Sequence, residues 1–213
     1  MFNKVLSGPA KSALALLGKS NLLQDAYLAG GTALALQFGH RYSEDFDFFT
    51  RKNFEEQMIA QKMTQTFPDF RLEQVSWGTV LGYIKDVRFS FFFYKYPLLA
   101  DLKKFSGINV ADPKDITPMK ITAIADRGRK RDFVDLYFIL AAKKLFSLKK
   151  ALKLYDKKFK VLRQNKVHIL KSLSYFNDAE KDEMPEMIIS TNWAKVKLFF
   201  ENEVKKVSRE FLD

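Results

Sequence analysis

The chain has no cysteine and only two histidines, His40 and His168, among 213 residues. That excludes disulfides, thiolate nucleophiles and Cys-containing zinc sites, and two imidazoles cannot build a three-histidine metal centre. No apolar run approaches the roughly 18 residues of a membrane-spanning helix, and Met1-Phe2-Asn3-Lys4 does not open a secretory signal, so a cytoplasmic protein without a membrane is expected. Hydrophobic residues at 47% and charged residues at 29% exclude a disordered chain. The length suits one or two domains.

What is abundant is positive charge. Lys and Arg number 36 against 25 Asp and Glu, a formal net charge of +11. Residues 114–166 hold 16 of the cations and 5 of the anions, so the whole excess falls in that segment. Two readings stay open: a solvated lysine-rich helix face, or a surface that contacts a phosphate backbone. The balance favours a polyanionic partner such as nucleic acid or nucleotide, and it disfavours a cationic small-molecule substrate of the aminoglycoside type.

Two styles of sequence meet near residue 113. Residues 10–24 read as a helix, Ala26 to Ala29 as a short buried strand, Thr32 to Leu36 as a helix, residues 45–49 as a strand and 53–66 as a helix. From Phe70 to Tyr96 the pattern is β-rich, with turns at Trp77-Gly78 and Lys85-Asp86, and Pro97 and Pro113 punctuate the connection that follows. Beyond Thr117 the periodicity is helical, over 117–127, 131–145, 147–158, 161–176 and 191–210, with Trp193 anchoring the last helix. The expected architecture is a sheet domain, residues 1–113, followed by a C-terminal helical bundle, residues 114–213.

The most informative stretch runs from Gly30-Gly31-Thr32 to Asp45-Phe46-Asp47-Phe48-Phe49. Residues i and i+2 of a strand share a face, so Asp45 and Asp47 point one way while Phe46 and Phe48 point into the core. Adjacent carboxylates repel unless a cation sits between them, and hard oxygen ligands suit Mg²⁺ or Mn²⁺, which would also hold a substrate's phosphates. Gly30-Gly31, between a strand and a helix, lets backbone N–H groups approach an oxyanion, and Thr32 adds a hydroxyl at the helix start. This is not a Walker A loop, because no Gly-Lys-Ser/Thr follows. The Phe-rich sheet reads as buried packing, with Tyr42 and Tyr83 the candidates for base stacking.

Gly30-Gly31-Thr32-Ala33-Leu34-Ala35-Leu36, then His40-Arg41-x-Ser43-x-Asp45-x-Asp47, resembles the minimal nucleotidyltransferases of the AbiEii/AbiGii toxin family, of the DNA polymerase beta superfamily. Lys120, Arg127 and Arg131-Asp132-Phe133-x-Asp135-Leu136-Tyr137 are similar to that family's C-terminal motifs. The resemblance implies an α+β fold, a nucleotidyltransferase-like mixed sheet flanked by helices, and transfer of NMP from an NTP, with RNA or a tRNA end as acceptor. It also implies the toxin half of a toxin–antitoxin or phage-defence (abortive infection) pair, hence a cognate antitoxin.

By that resemblance Gly30, Gly31 and Thr32 contact the nucleotide phosphates, Asp45 and Asp47 hold the metal, and Arg41 and Ser43 brace the turn or reach a phosphate. Arg41 could equally pair with Glu44. Lys120 and Arg127 share a helix face and could neutralise or clamp phosphate. Asp132 and Asp135 are expected as neighbours on a helix surface, either paired with Arg127, Lys130 or Arg131, or acting as cleft-facing carboxylates that orient Lys120 or activate a hydroxyl. One departure stands out: the superfamily commonly carries a third carboxylate on a later strand, and Ser90 stands at that place on Val87 to Phe93, with Asp86 turned elsewhere. A hydroxyl binds Mg²⁺ weakly and takes no proton at pH 7, so a catalytically silent nucleotide- or RNA-binding module is the second reading.

Overall fold

The computed structural model describes residues 1–20, 22–160 and 165–212. The chain divides into two compact units, Met1–Asp112 and Pro113–Asp213.

In the first unit, Ser7 caps α1 (Gly8–Lys19) by accepting from the Ala10 N–H, and Pro9 occupies the first turn, where a missing N–H costs nothing. There follow β1 (Ala26–Leu28), α2 (Gly30–Phe38), β2 (Phe46–Thr50), α3 (Glu56–Thr66), β3 (Phe70–Ser76), β4 (Thr79–Ile84), β5 (Val87–Phe93), β6 (Lys103–Phe105) and β7 (Ile108–Val110). The strands form one mixed sheet in the order β3-β4-β5-β2-β1-β7-β6. β2 runs parallel to β5 and antiparallel to β1, and β1 runs parallel to β7. The β4–β5 hairpin closes on Lys85 and Asp86, both at positive φ, as a two-residue turn between twisted strands requires.

The expected connection between Pro97 and Pro113 is in fact partly sheet. Lys103–Phe105 and Ile108–Val110 pair across a Ser106-Gly107 turn, also with both residues at positive φ. β7 then binds β1, and the Asn109 amide donates to the carbonyls of Gln24 and Ala26. Such a short hairpin is held by its neighbour rather than by local propensity.

On one face of the sheet Phe46, Phe48 and Phe89 are fully buried. On the other face Asp47, Phe49 and Phe92 are only half-buried. The expected alternation along β2 is therefore present, although the strand starts at Phe46 and Asp45 lies just before it.

The second unit comprises α4 (Pro113–Arg127), α5 (Lys130–Tyr137), α6 (Leu148–Phe159), α7 (Asn165–Leu173), a short α8 (Asn177–Glu180) and α9 (Trp193–Leu212). A π-turn over Phe138–Ala142 continues α5. Residues 161–164 of the helix expected over 161–176 lie outside the described residues. Phe133 centres an aromatic core, with ring centroids 5.3 Å from Phe176, 5.4 Å from Phe200 and 5.7 Å from Trp193. Trp193 opens α9 against that core and receives the Lys130 ammonium over its ring at 5.3 Å.

Candidate functional site

In the first unit the site begins where β1 ends. Gly30 has φ +68°, a conformation L side chains rarely adopt. A Cβ there would meet Asp47 Oδ2 at 3.0 Å, so only glycine lets the backbone at the head of α2 lie against this carboxylate. The Ala29 N–H bonds the Asp47 carbonyl at 3.0 Å, which locks the turn to β2. Two hydrogen bonds fix the loop that delivers Asp45. The Thr32 hydroxyl donates to the Asp45 carbonyl at 2.5 Å and lies 2.8 Å from the Ser43 hydroxyl. Since Thr32 has one proton and gives it to the carbonyl, Ser43 is the donor in the second bond.

This geometry sorts the sequence candidates. Gly30, Asp45 and Asp47 gather at the α2 N-terminus, with Gly31 the next residue of that helix. Thr32 and Ser43 are turned toward each other, and the Thr32 side chain is buried, so its hydroxyl braces the turn. Arg41 is buried as well and donates from Nη1 to the Tyr42 carbonyl at 2.9 Å. Of the two stacking candidates, Tyr42 is exposed, and Tyr83 lies under the Arg71 guanidinium at 5.5 Å.

The register of β2 against β5 makes Ser90 the partner of Asp47. A buried hydroxyl thus occupies the position beside Asp47. Asp86 sits in the β4–β5 turn and pairs instead with Arg71 at 2.7 Å. Among the described residues no cluster of three or more His, Cys, Asp or Glu could hold a metal. The Asp47 carboxylate lies against the glycine turn, and Mg²⁺, which keeps several waters and takes one or two carboxylates plus substrate phosphates, fits such a donor set.

The second unit carries a buried ion cluster. Lys120 Nζ lies 2.7 Å from Asp132 Oδ1 and 2.6 Å from Asp135 Oδ2. Arg127 donates from Nε to Asp132 Oδ2 at 3.0 Å, and its Nη2 lies 3.0 Å from the same oxygen. Asp132 and Asp135 are fully buried, contrary to their expected place on a helix surface. The reason is compensation: Lys120 and Arg127 on α4 supply the charge that makes their burial tolerable. Desolvation works against the ionised Asp132, but the attraction of Lys120 and Arg127 outweighs it and holds the carboxyl below its ordinary range. The four formal charges cancel, so Lys120 is not a spare cation, whereas Arg127 keeps half its side chain in solvent.

The basic segment is mostly surface. Lys143, Lys144, Lys150, Lys153, Lys157 and Lys160 are exposed. Lys130 and Lys158 are buried, and Lys158 pairs with a fully buried Asp115 at 2.7 Å. Among the described residues no helix is long and apolar enough to cross a membrane.

The family model for the nucleotidyl transferase AbiEii toxin, type IV toxin–antitoxin system, matches residues 12–79 and 83–210. An uncharacterized protein of Aquifex aeolicus is 38% identical over 205 residues, covering 92% of this chain and 94% of its own. The crystal structure of JHP933 from Helicobacter pylori superposes with a TM-score of 0.56 at 19% identity, over 96% of this chain and 94% of that one. MenT4, a nucleotidyltransferase toxin of Mycobacterium tuberculosis, gives 0.55 at 14% identity, over 93% and 84%. At such identities the two structures speak to the fold, a mixed sheet flanked by helices, and the family match speaks to membership. The chain belongs to the AbiEii nucleotidyltransferase toxin family of type IV toxin–antitoxin systems.

Proposed function

We propose that this chain transfers a nucleoside monophosphate from an NTP to an RNA acceptor such as a tRNA end, with Mg²⁺ or Mn²⁺, as the toxin of a phage-defence pair restrained by a cognate antitoxin. The observation that supports the reading is the close approach of Gly30 to the Asp47 carboxylate, which brings a helix N-terminus and a carboxylate to one point. Backbone N–H groups of Gly30 and Gly31 hold the donor's β- and γ-phosphates. Asp45 and Asp47 are the residues that would hold the metal. When bound, the ion neutralises phosphate oxygens and makes the attacking hydroxyl a better nucleophile.

The acceptor hydroxyl oxygen forms a bond to the α-phosphorus, and the bond from that phosphorus to the pyrophosphate oxygen breaks. With Ser90 beside Asp47, the hydroxyl proton leaves through water. Thr32, Ser43 and Arg41 keep the 41–45 loop in place. We assign phosphate contact in the second unit to Arg127, whose guanidinium is aimed by Asp132, with Lys120 and Asp135 completing the support. The exposed lysines of α6 suit the RNA backbone.

The test is transfer of label from an α-³²P NTP to RNA with Mg²⁺ present. Loss of label with Asp47→Ala and its retention with Asp86→Ala support the reading, and equal labelling by Asp47→Ala sinks it. The partnership of Ser90 with Asp47 favours a second reading, a silent binding module. That reading requires NTP or RNA affinity with no transfer under any divalent metal.

A further inference from the structure

Two residues past Asp47 the same sheet face turns aromatic. Phe49 is the Cα partner of Phe92, with ring centroids 5.3 Å apart. Tyr94 lies 5.2 Å from Phe49, and Tyr96 5.0 Å from Tyr94. Beside Phe49 on the neighbouring strand, its β1 partner Tyr27 is buried and stacks on it at 6.0 Å. The four outer rings are half-buried, unlike Phe46, Phe48 and Phe89 on the opposite face. Lys95 places its ammonium 5.9 Å from the Tyr96 ring, and Arg51 is exposed just past β2. The Phe-rich sheet was expected to be packing throughout; on this face it forms a partly open shelf.

We propose that this shelf receives the unpaired terminal base of the RNA acceptor, a proposal that rests on the transfer reading and extends it. The chemistry is that of single-strand binding: flat ring faces for a base, with cations at the rim for its phosphates. Direction then separates acceptor from donor. Ala29, next to Gly30, bonds Asp47, whereas Tyr27, further back along β1, partners Phe49. The glycine turn and the shelf therefore lie to opposite sides of Asp47 along the strand. Phosphoryl transfer places the attacking and leaving oxygens roughly in line. With the leaving pyrophosphate on the glycine turn, the nucleophile comes from the shelf side. Phe49 stands about 7 Å beyond Asp47 along the strand, a spacing suited to a ribose hydroxyl at the carboxylates with its base on the rings.

The experiment uses a short single-stranded RNA ending in 2-aminopurine and full-length protein without NTP. Stacking quenches the fluorophore. Tyr94→Leu and Phe92→Leu are expected to abolish the quenching and weaken RNA binding about tenfold, with Tyr94→Phe close to wild type and NTP binding unchanged. Variants that melt like wild type yet bind and quench equally overturn the shelf. Should the leucine variants fail to fold, wild-type protein is photo-cross-linked to RNA ending in 5-iodouridine. Adducts on Tyr94 or Tyr96 support the proposal, and adducts confined to other segments overturn it. RNA stacking without any transfer under divalent metal leaves the shelf standing and defeats the transfer reading, whereas transfer unimpaired by the shelf variants does the reverse.

Discussion

Gly30 and Asp47 are in contact because one of them has no side chain: a Cβ on Gly30 would stand 3.0 Å from the Asp47 carboxylate oxygen. The same glycine holds φ +68°, where an alanine costs about 1–2 kcal/mol. Gly30→Ala is therefore expected to lower the melting temperature by roughly 2–8 °C for a protein of this size. It is also expected to cut NMP transfer well over tenfold, because the carboxylate must move. Gly8→Ala is the control, since a Cβ at Gly8 meets nothing within 4 Å. Calorimetry and the label-transfer assay on both variants check this, and wild-type activity in Gly30→Ala rejects it.

Asp132 makes stability depend on pH in one direction. Its carboxyl is held below the ordinary value by Lys120 and Arg127, against the opposing effect of burial. A group depressed in the folded state contributes stability that is complete above its unfolded value, about 3.9, and is lost as pH falls through the lower folded value. Asp132→Asn should flatten the acid limb of a stability–pH curve measured by urea unfolding. At pH 7 the same change strips Lys120 and Arg127 of a buried counter-ion and is expected to cost about 3–5 kcal/mol. An unchanged acid limb contradicts the assignment.

The Asp115–Lys158 pair lets the energetics of α4 and α6 be probed at residues to which no catalytic role is assigned. Both side chains are fully buried, 2.7 Å apart. Lys158→Met alone takes the ammonium away from a buried carboxylate and should destabilise by about 3–5 kcal/mol. Asp115→Leu with Lys158→Met removes both charges and should recover most of that loss, because an apolar replacement avoids desolvating either ion. A double-mutant cycle in urea measures the coupling.

Part of this could be read from residues alone. Period-two alternation places Asp47 opposite Phe46 and Phe48, whereas Ser90 is singled out by the superfamily resemblance, and β5 does set it against Asp47. The β6–β7 hairpin was missed because three-residue strands containing Lys103 and Lys104 carry little local signal; pairing with β1 makes them strands. Asp132 and Asp135 were misplaced because periodicity counts a carboxylate as polar wherever it falls. Their burial depends on Lys120, one helix earlier, and only the packing of α4 on α5 reveals that. The aromatic shelf escaped for the converse reason. Phe49 shares Asp47's face by simple alternation, but its half-exposure is a property of the assembled sheet.

Ser90 offers the most direct control of the carboxylate pair. It is buried and sits in register with Asp47, so Ser90→Asp places a further carboxylate beside Asp47. Without metal the added charge repels Asp47, and the variant should melt below wild type in EDTA. With Mg²⁺ the order should narrow or reverse, because three oxygen donors hold a divalent ion more tightly than two. A tenfold gain in affinity at saturating ion corresponds to about 1.4 kcal/mol, or roughly 3–6 °C of additional magnesium-dependent shift. Paired melting scans in EDTA and Mg²⁺ read this without any assumption about catalysis. Equal magnesium shifts in the two proteins, with the variant folded, would remove Asp47 from the metal-binding role.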